Sequence, residues 1–216
     1  MKKLVIFDLD GTLLNTIADL AQSTNYALKE CGFPEHEEEE YKYFVGNGIY
    51  KLFERALPES EKSEENIANV RKHFLIHYGV HNMDHSCPYP GIMNLLENLH
   101  KKGLKLAVAS NKYQAATERL IKHYFSEIPF VAVFGQREGV KAKPDPTIVE
   151  DILAIFPVDK KDVLYVGDTG IDMQTALNAG ITAAGVTWGF RQRAELEQYS
   201  PAYIVNQAEE ILELIS

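Results

Sequence analysis

Lys3-Leu4-Val5-Ile6-Phe7-Asp8-Leu9-Asp10-Gly11-Thr12 opens the chain with an apolar run that stops on two aspartates. After Lys3 the run shows no polar alternation, and it is rich in β-branched and aromatic residues. That pattern predicts a strand covered on both faces, as in a parallel sheet. The Asp-x-Asp-Gly that follows also suits an ordinary turn. Its meaning therefore depends on what the other strands deliver to the same place.

Outward from this strand the period changes. From about Thr16, Leu20, Thr24, Ala27, Leu28 and Cys31 recur at helical spacing, closed by Gly32 and Pro34. Glu37 to Glu40 reads as a solvated helix start. Another helix follows Gly48, and a long one covers roughly Ser63 to Tyr78. The proline-rich segment from His85 to Gly91 breaks both periods and marks a domain junction. Beyond it helices and short apolar strands alternate. The expected helices are Ile92–Lys102, about Ala115–His123, Thr147–Phe156, Ile171–Ala179 and about Ala208–Ile215. The expected strands are Lys105–Ala109, Phe130–Phe134, Val163–Val166 and Thr182–Val186. Such alternation predicts an α/β fold with a doubly wound parallel sheet. Residues 1–15 and 86–216 form the core domain in this reading, and residues 16–85 form an inserted all-helical domain.

In such sheets ligands bind beyond the carboxyl ends of the strands. Strand one ends in Asp8 and Asp10, strand two in Ser110-Asn111, and strand four in Gly167-Asp168-Thr169-Gly170-Ile171-Asp172. The loop after strand three holds Lys141-Ala142-Lys143-Pro144-Asp145-Pro146. Singly, each piece is compatible with a turn, a helix cap or a surface loop. Together they place acids, a hydroxyl and a lysine along one edge. Gathered carboxylates repel one another unless a cation compensates them, and an all-oxygen donor set suits Mg²⁺. Lysine and serine facing the same point would bind phosphoryl oxygens. An aspartate there can attack phosphorus, and a second carboxyl can move the proton.

Asp8-x-Asp10-Gly11-Thr12, Ser110, Lys143-Pro144 and Gly167-Asp168-x3-Asp172 together resemble the four motifs of the haloacid dehalogenase superfamily. The resemblance covers almost the whole chain and implies a Rossmann-like core with a helical cap of the first type. It implies Asp8 as nucleophile and metal ligand, and Asp10 as general acid/base that also lends its backbone carbonyl to Mg²⁺. Thr12 would orient Asp10. Ser110 would bind phosphoryl oxygens with Asn111 nearby, and Lys143 would bridge nucleophile and phosphate. Asp168 would ligate the metal, and Asp172 would support the metal shell or position Lys143. Asp10 speaks against the dehalogenase and phosphonate-hydrolase branches, which lack the second aspartate. Thr12 stands where the phosphosugar mutases usually carry valine. Asn15 departs from the family's habit of aspartate, which touches only hinge and cap contacts.

For the substrate, Val45-Gly46-Asn47-Gly48 with Leu52 and Ala56-Leu57, and Thr187-Trp188-Gly189-Phe190, resemble segments of phosphoglycolate phosphatases. Lys51 or Arg55 could meet a substrate carboxylate, or the segment is a plain helix–helix turn with surface charges. The expected activity is thus hydrolysis of a small phosphorylated metabolite, phosphoglycolate first. A β-phosphoglucomutase-like mutase and a pyrophosphatase or sugar phosphatase are the alternatives.

Composition narrows the partners. A formal net charge of −9 over 216 residues argues against a nucleic-acid partner. Asp8 and Asp10 interrupt the first apolar run too early for a signal-peptide core, and no stretch approaches the length of a membrane span. Cys31 and Cys87 read as reduced thiols. These features predict a cytoplasmic enzyme. His73, His77, His81 and His85 recur at helical spacing but lack the carboxylate pattern of a metal site.

Overall fold

The structure, a computed structural model, describes residues 1–215. It opens with β1 (Leu4–Phe7) and β2 (Leu14–Asn15), then α1 (Ile17–Glu30), α2 (Glu38–Phe44), α3 (Ile49–Ala56) and α4 (Glu64–His81). Next come β3 (Cys87–Pro88), α5 (Ile92–Lys101), β4 (Lys105–Tyr113), α6 (Gln114–Tyr124) and β5 (Phe130–Gln136). The chain continues through α7 (Thr147–Ile155), β6 (Val163–Gly167), α8 (Gly170–Ala179), β7 (Thr182–Val186), α9 (Arg193–Glu197) and β8 (Tyr203–Val205). It divides into two compact units: Met1–Leu14 with the chain from Pro88 onward, and Asn15–Cys87.

The first unit is an α/β core. Its sheet has the order β5-β4-β1-β6-β7-β8 with every pair parallel. From β1 the strands fill one side as β4 and β5, then the other as β6, β7 and β8. This is the Rossmann order, and β1 lies at the topological switch point. All four residues of β1 are buried, because helices cover both faces of the sheet. Leu4 and Ile6 share one cluster with Ala107, Ala109, Val149, Ile152, Val163, Tyr165 and Met173.

The core departs from the sequence-based expectation at its edges. β4 runs through Tyr113, but its pairing with β5 shifts register between Ala109 and Tyr113, so Ser110 to Lys112 leave the regular ladder. β8 and α9 escaped the sequence reading because three and five residues are too few to show a period. The last expected helix is a 3₁₀ segment, Ala208–Glu213.

The second unit is all-helical. α1 and α4 bury Leu20, Ala27 and Leu28, and Ile67, Val70, Phe74 and Tyr78. Phe53 meets Phe74 edge-on at 5.1 Å, and Phe74 stacks on Tyr78 at 4.9 Å. The acidic run is the start of α2, where Glu37 and Glu40 form a reciprocal capping box. Asp19, buried near the start of α1, accepts hydrogen bonds from His85 N (2.9 Å), Ser86 N (2.9 Å) and Ser86 Oγ (2.6 Å). Two of these histidines are locally engaged: His77 meets Ser23 Oγ at 3.0 Å and His81 meets Asp84 at 2.7 Å. Among the described residues no helix is long and apolar enough to cross a membrane.

Candidate active site

β1 stops at Asp8, whose backbone N–H still donates to Val166 O of β6 at 2.9 Å. The side chain is thereby aimed past the sheet edge. The chain then turns about Leu9, whose carbonyl accepts from the N–H groups of Thr12, Leu13 and Leu14. Gly11 within this turn has φ +87°, a left-handed conformation that favours glycine. A Cβ there would also collide with the Asp168 carboxylate. Gly11 is therefore needed for both its conformation and its lack of a side chain.

β6 delivers Asp168 and, one turn into α8, Asp172. Asp168 is fully buried and accepts from Thr12 Oγ1 at 3.0 Å and from Phe190 N at 2.8 Å. Asp172 completes a capping box with Thr169 at the start of α8: Oδ2 accepts from Thr169 Oγ1 (2.6 Å) and Thr169 N (3.1 Å). Its Oδ1 accepts from Lys143 Nζ at 2.7 Å. Lys143 also reaches Asp8 Oδ1 (2.9 Å), Ala109 O (2.9 Å) and Tyr165 Oη (3.1 Å).

Asp8, Asp168 and Asp172 each offer an oxygen within 4.8 Å of the others. Burial, and then the charge of Asp172, pushes Asp8 up to about 7, against the pull of Lys143. Burial and the charges of Asp172 and Asp8 hold Asp168 well above the usual carboxylate range. Burial would lower the Lys143 ammonium, but Asp172 and Asp8 outweigh it and keep this lysine charged. Were all three carboxylates ionised against one ammonium, two negative charges would stay uncompensated in a buried, all-oxygen donor set. Such a set fits a divalent, oxygen-preferring cation.

Asp10 lies on the same side. Both its oxygens accept from Lys112 Nζ, at 3.0 and 3.1 Å. Ser110, buried, accepts from Lys112 N through Oγ at 3.1 Å. The eight residues singled out in the sequence all lie in the α/β core, but two have partners other than those expected. The Thr12 hydroxyl is donated to Asp168, not to Asp10, because Gly11 turns the chain beneath β6. The Asn111 amide meets the Lys143 backbone, with Nδ2 donating to its carbonyl (3.1 Å) and Oδ1 accepting from its N–H (2.9 Å). Asn111 thus carries the loop that presents Lys143.

Two contributors, Tyr165 and Lys112, are not among the residues singled out in the sequence. Tyr165 supports Lys143, and its signal was a lone hydroxyl-bearing residue in an otherwise apolar strand. Lys112 directly follows Ser110-Asn111 but lay past the expected end of β4. Trp188 Nε1 donates to Thr12 O at 3.1 Å, and a Cβ on Gly189 would collide with Asp168 and Gly11 O. The Thr187–Phe190 segment thus braces the first strand end and Asp168. Arg55, in the helical unit, donates to Tyr43 O (3.2 Å), Phe44 O (2.9 Å) and Asn47 Oδ1 (2.8 Å). Lys51 pairs with Glu54. Arg55 therefore shapes the loop that contains Gly46 and Gly48, both at positive φ.

Carboxylates and a buried lysine at the switch point of a parallel sheet define the class: an α/β enzyme with a doubly wound, Rossmann-like core. The model of the haloacid dehalogenase-like hydrolase family matches residues 5–186, and the chain belongs to that family. It is 31% identical to a phosphoglycolate phosphatase of Vibrio parahaemolyticus, over 99% of this chain and 96% of that protein. It is likewise 31% identical to one of Aquifex aeolicus, over 99% and 96%. A crystal structure of a proposed phosphoglycolate phosphatase from Lactobacillus delbrueckii superposes with a TM-score of 0.94. It shares 32% identity, covering 100% of this chain and 99% of the other. The chain is a phosphatase of this family.

Proposed function

We propose that this phosphatase hydrolyses 2-phosphoglycolate, or a closely similar small phosphorylated acid, by a two-step route through phospho-Asp8. The observation that carries the reading is Lys143 Nζ, 2.9 Å from Asp8 Oδ1 and anchored on Asp172. A fixed positive charge beside Asp8 suits a point where an attacking carboxylate and a phosphoryl oxygen would meet. The relatives named as phosphoglycolate phosphatases over their full length support the choice of substrate.

In the first step an Asp8 oxygen attacks phosphorus and the ester P–O bond breaks. Asp10, protonated, gives its proton to the departing alkoxide. In the second step Asp10, now a carboxylate, takes a proton from the water that attacks phospho-Asp8. Phosphate leaves and the Asp8 carboxylate is regenerated. Ser110 donates to a phosphoryl oxygen, and Lys143 neutralises another. Asp8, Asp168 and the Asp10 backbone carbonyl would hold Mg²⁺, with Asp172 anchoring Lys143 beside them. When bound, the ion supplies charge neutralisation for the phosphoryl oxygens and allows the carboxylates to be ionised together. We assign the choice of substrate to the helical unit. Two thiols without a disulfide suit a reducing, cytoplasmic setting.

The test is phosphate release from a panel of phosphorylated metabolites, ranked by kcat/KM, with and without Mg²⁺. Phosphoglycolate should rank first, and Asp8→Asn should abolish turnover. Isomerisation of β-glucose 1-phosphate without net phosphate release would overturn the hydrolase reading.

A further inference from the structure

We propose that Lys112 is a positioning residue that sets where the Asp10 carboxyl stands for proton transfer to the leaving group. This rests on the role of Asp10 given above.

The backbone of Lys112 is held where β4 leaves its ladder with β5. Ser110 Oγ accepts from its N–H at 3.1 Å, and Thr117 Oγ1 donates to its carbonyl at 3.2 Å. Gly135 of β5 lets the two strands close over this point, since a Cβ there would collide with Lys112 O. From this anchor the side chain, 3% exposed, carries its ammonium to both oxygens of Asp10 at 3.0 and 3.1 Å.

The torsion that turns an aspartate carboxyl about its Cβ–Cγ bond is broad and roughly two-fold. A donor that meets both oxygens almost equally lies close to that axis, so it leaves the turn about the bond open but fixes where the head of the carboxyl stands. A misaligned carboxyl loses proton-transfer efficiency steeply, because the acid must lie within hydrogen-bond reach of the ester oxygen. Stability offers a weaker account of the pair. A buried ion pair often contributes no more than apolar residues of similar volume, so its presence is poor evidence of a stabilising role. Its location, on the one carboxyl that moves the proton, is what a positioning role requires.

Leaving groups separate this role from the others. An alkyl phosphate expels a strongly basic alkoxide and needs the acid, whereas p-nitrophenyl phosphate expels a weakly basic phenolate and needs it little. Values of kcat/KM report phosphoryl transfer to Asp8, the step in which Asp10 acts as acid. They are measured for wild type, Lys112→Met, Lys112→Arg, Asp10→Asn and the Asp10→Asn/Lys112→Met pair, each checked by thermal melting. The alkyl substrate is whichever ranks first for the wild-type enzyme. A failure of the phosphoglycolate assignment therefore shows in the wild type alone, before any variant is made.

Lys112→Met should lower kcat/KM about 100-fold for the alkyl phosphate and less than about 5-fold for p-nitrophenyl phosphate, within the range of general acid catalysis. Lys112→Arg, which can still bridge two oxygens, should recover most of the loss. In the Asp10→Asn background the Lys112→Met change should have little further effect, because its influence passes through Asp10. Equal losses on both substrates would overturn the proposal in favour of direct phosphoryl binding by Lys112. So would additive losses in the double variant, or no loss at all. If Lys112→Met does not fold, the ratio of the two substrates in Lys112→Arg against wild type decides: a changed ratio supports positioning, and an unchanged ratio with reduced rates overturns it.

Discussion

Lys143 is the residue on which the site closes. Four acceptors, from the end of β1, from within β4 and β6, and from the first turn of α8, surround one ammonium. Its neighbours at this scale are glycines whose lack of a side chain is as necessary as any functional group. Gly11→Ala should be severe, because it forces a side chain into positive φ and into the Asp168 carboxylate. We expect a loss of at least about 1–3 kcal/mol in stability and a larger loss of activity. Urea midpoints and phosphate release measure the two. Tyr165→Phe should be mild, since Lys143 keeps Asp8, Asp172 and Ala109 O. A fall in kcat of less than about tenfold is expected, equivalent to one hydrogen bond of roughly 1 kcal/mol, whereas Lys143→Ala should abolish turnover.

Helix starts and strand ends organise these residues. The first turn of α8 uses Thr169 and Asp172 as a capping box, so the carboxylate that anchors Lys143 also starts the helix. Thr169→Ala removes the cap hydroxyl and one hold on Asp172. It should cost about 0.5–2 kcal/mol and lower kcat, while Thr169→Ser should restore both; thermal melts and steady-state rates check this. In the helical unit Arg55 joins the end of α2 to α3 through two carbonyls and Asn47. Arg55→Ala leaves those groups without their charged donor and should destabilise by about 1–3 kcal/mol. Urea midpoints measure this loss.

At the scale of the molecule, the acidic site makes stability depend on pH and on metal. Asp8 titrates near 7 in the folded protein against 3.8 ordinarily, chiefly through burial and the charge of Asp172. The folded state therefore binds the proton more tightly than the unfolded chain across that window. Stability of the metal-free protein should fall as pH rises from about 4 to about 7 and level off above. A divalent cation held by these carboxylates would reverse the sign of the local field and would bind the folded state alone. The rise in Tm on adding Mg²⁺ should thus be larger at pH 8 than at pH 5, and EDTA should remove it. Differential scanning fluorimetry across this range measures the effect without turnover, and an equal rise at both pH values would contradict it.

The sequence by itself determined the α/β class, the central strand and the identity of the acids and lysine. Buried parallel strands carry continuous apolar runs, and polar residues that break them fall at the strand ends. Each signal is local and weak alone, so Asp8, Ser110, Lys143 and Asp168 became legible only as an ordered set along one sheet edge. The tertiary structure decided which side chain meets which. Thr12 bonds Asp168 because Gly11 turns the chain back. Asn111 braces Lys143 because the loop 32 residues further along the chain folds back onto the end of β4. Lys112 reaches Asp10 across 102 residues because β4 lies beside β1 in the sheet. Hydrogen bonds are short and directional, so their pairing follows from strand order and register, which no local pattern encodes.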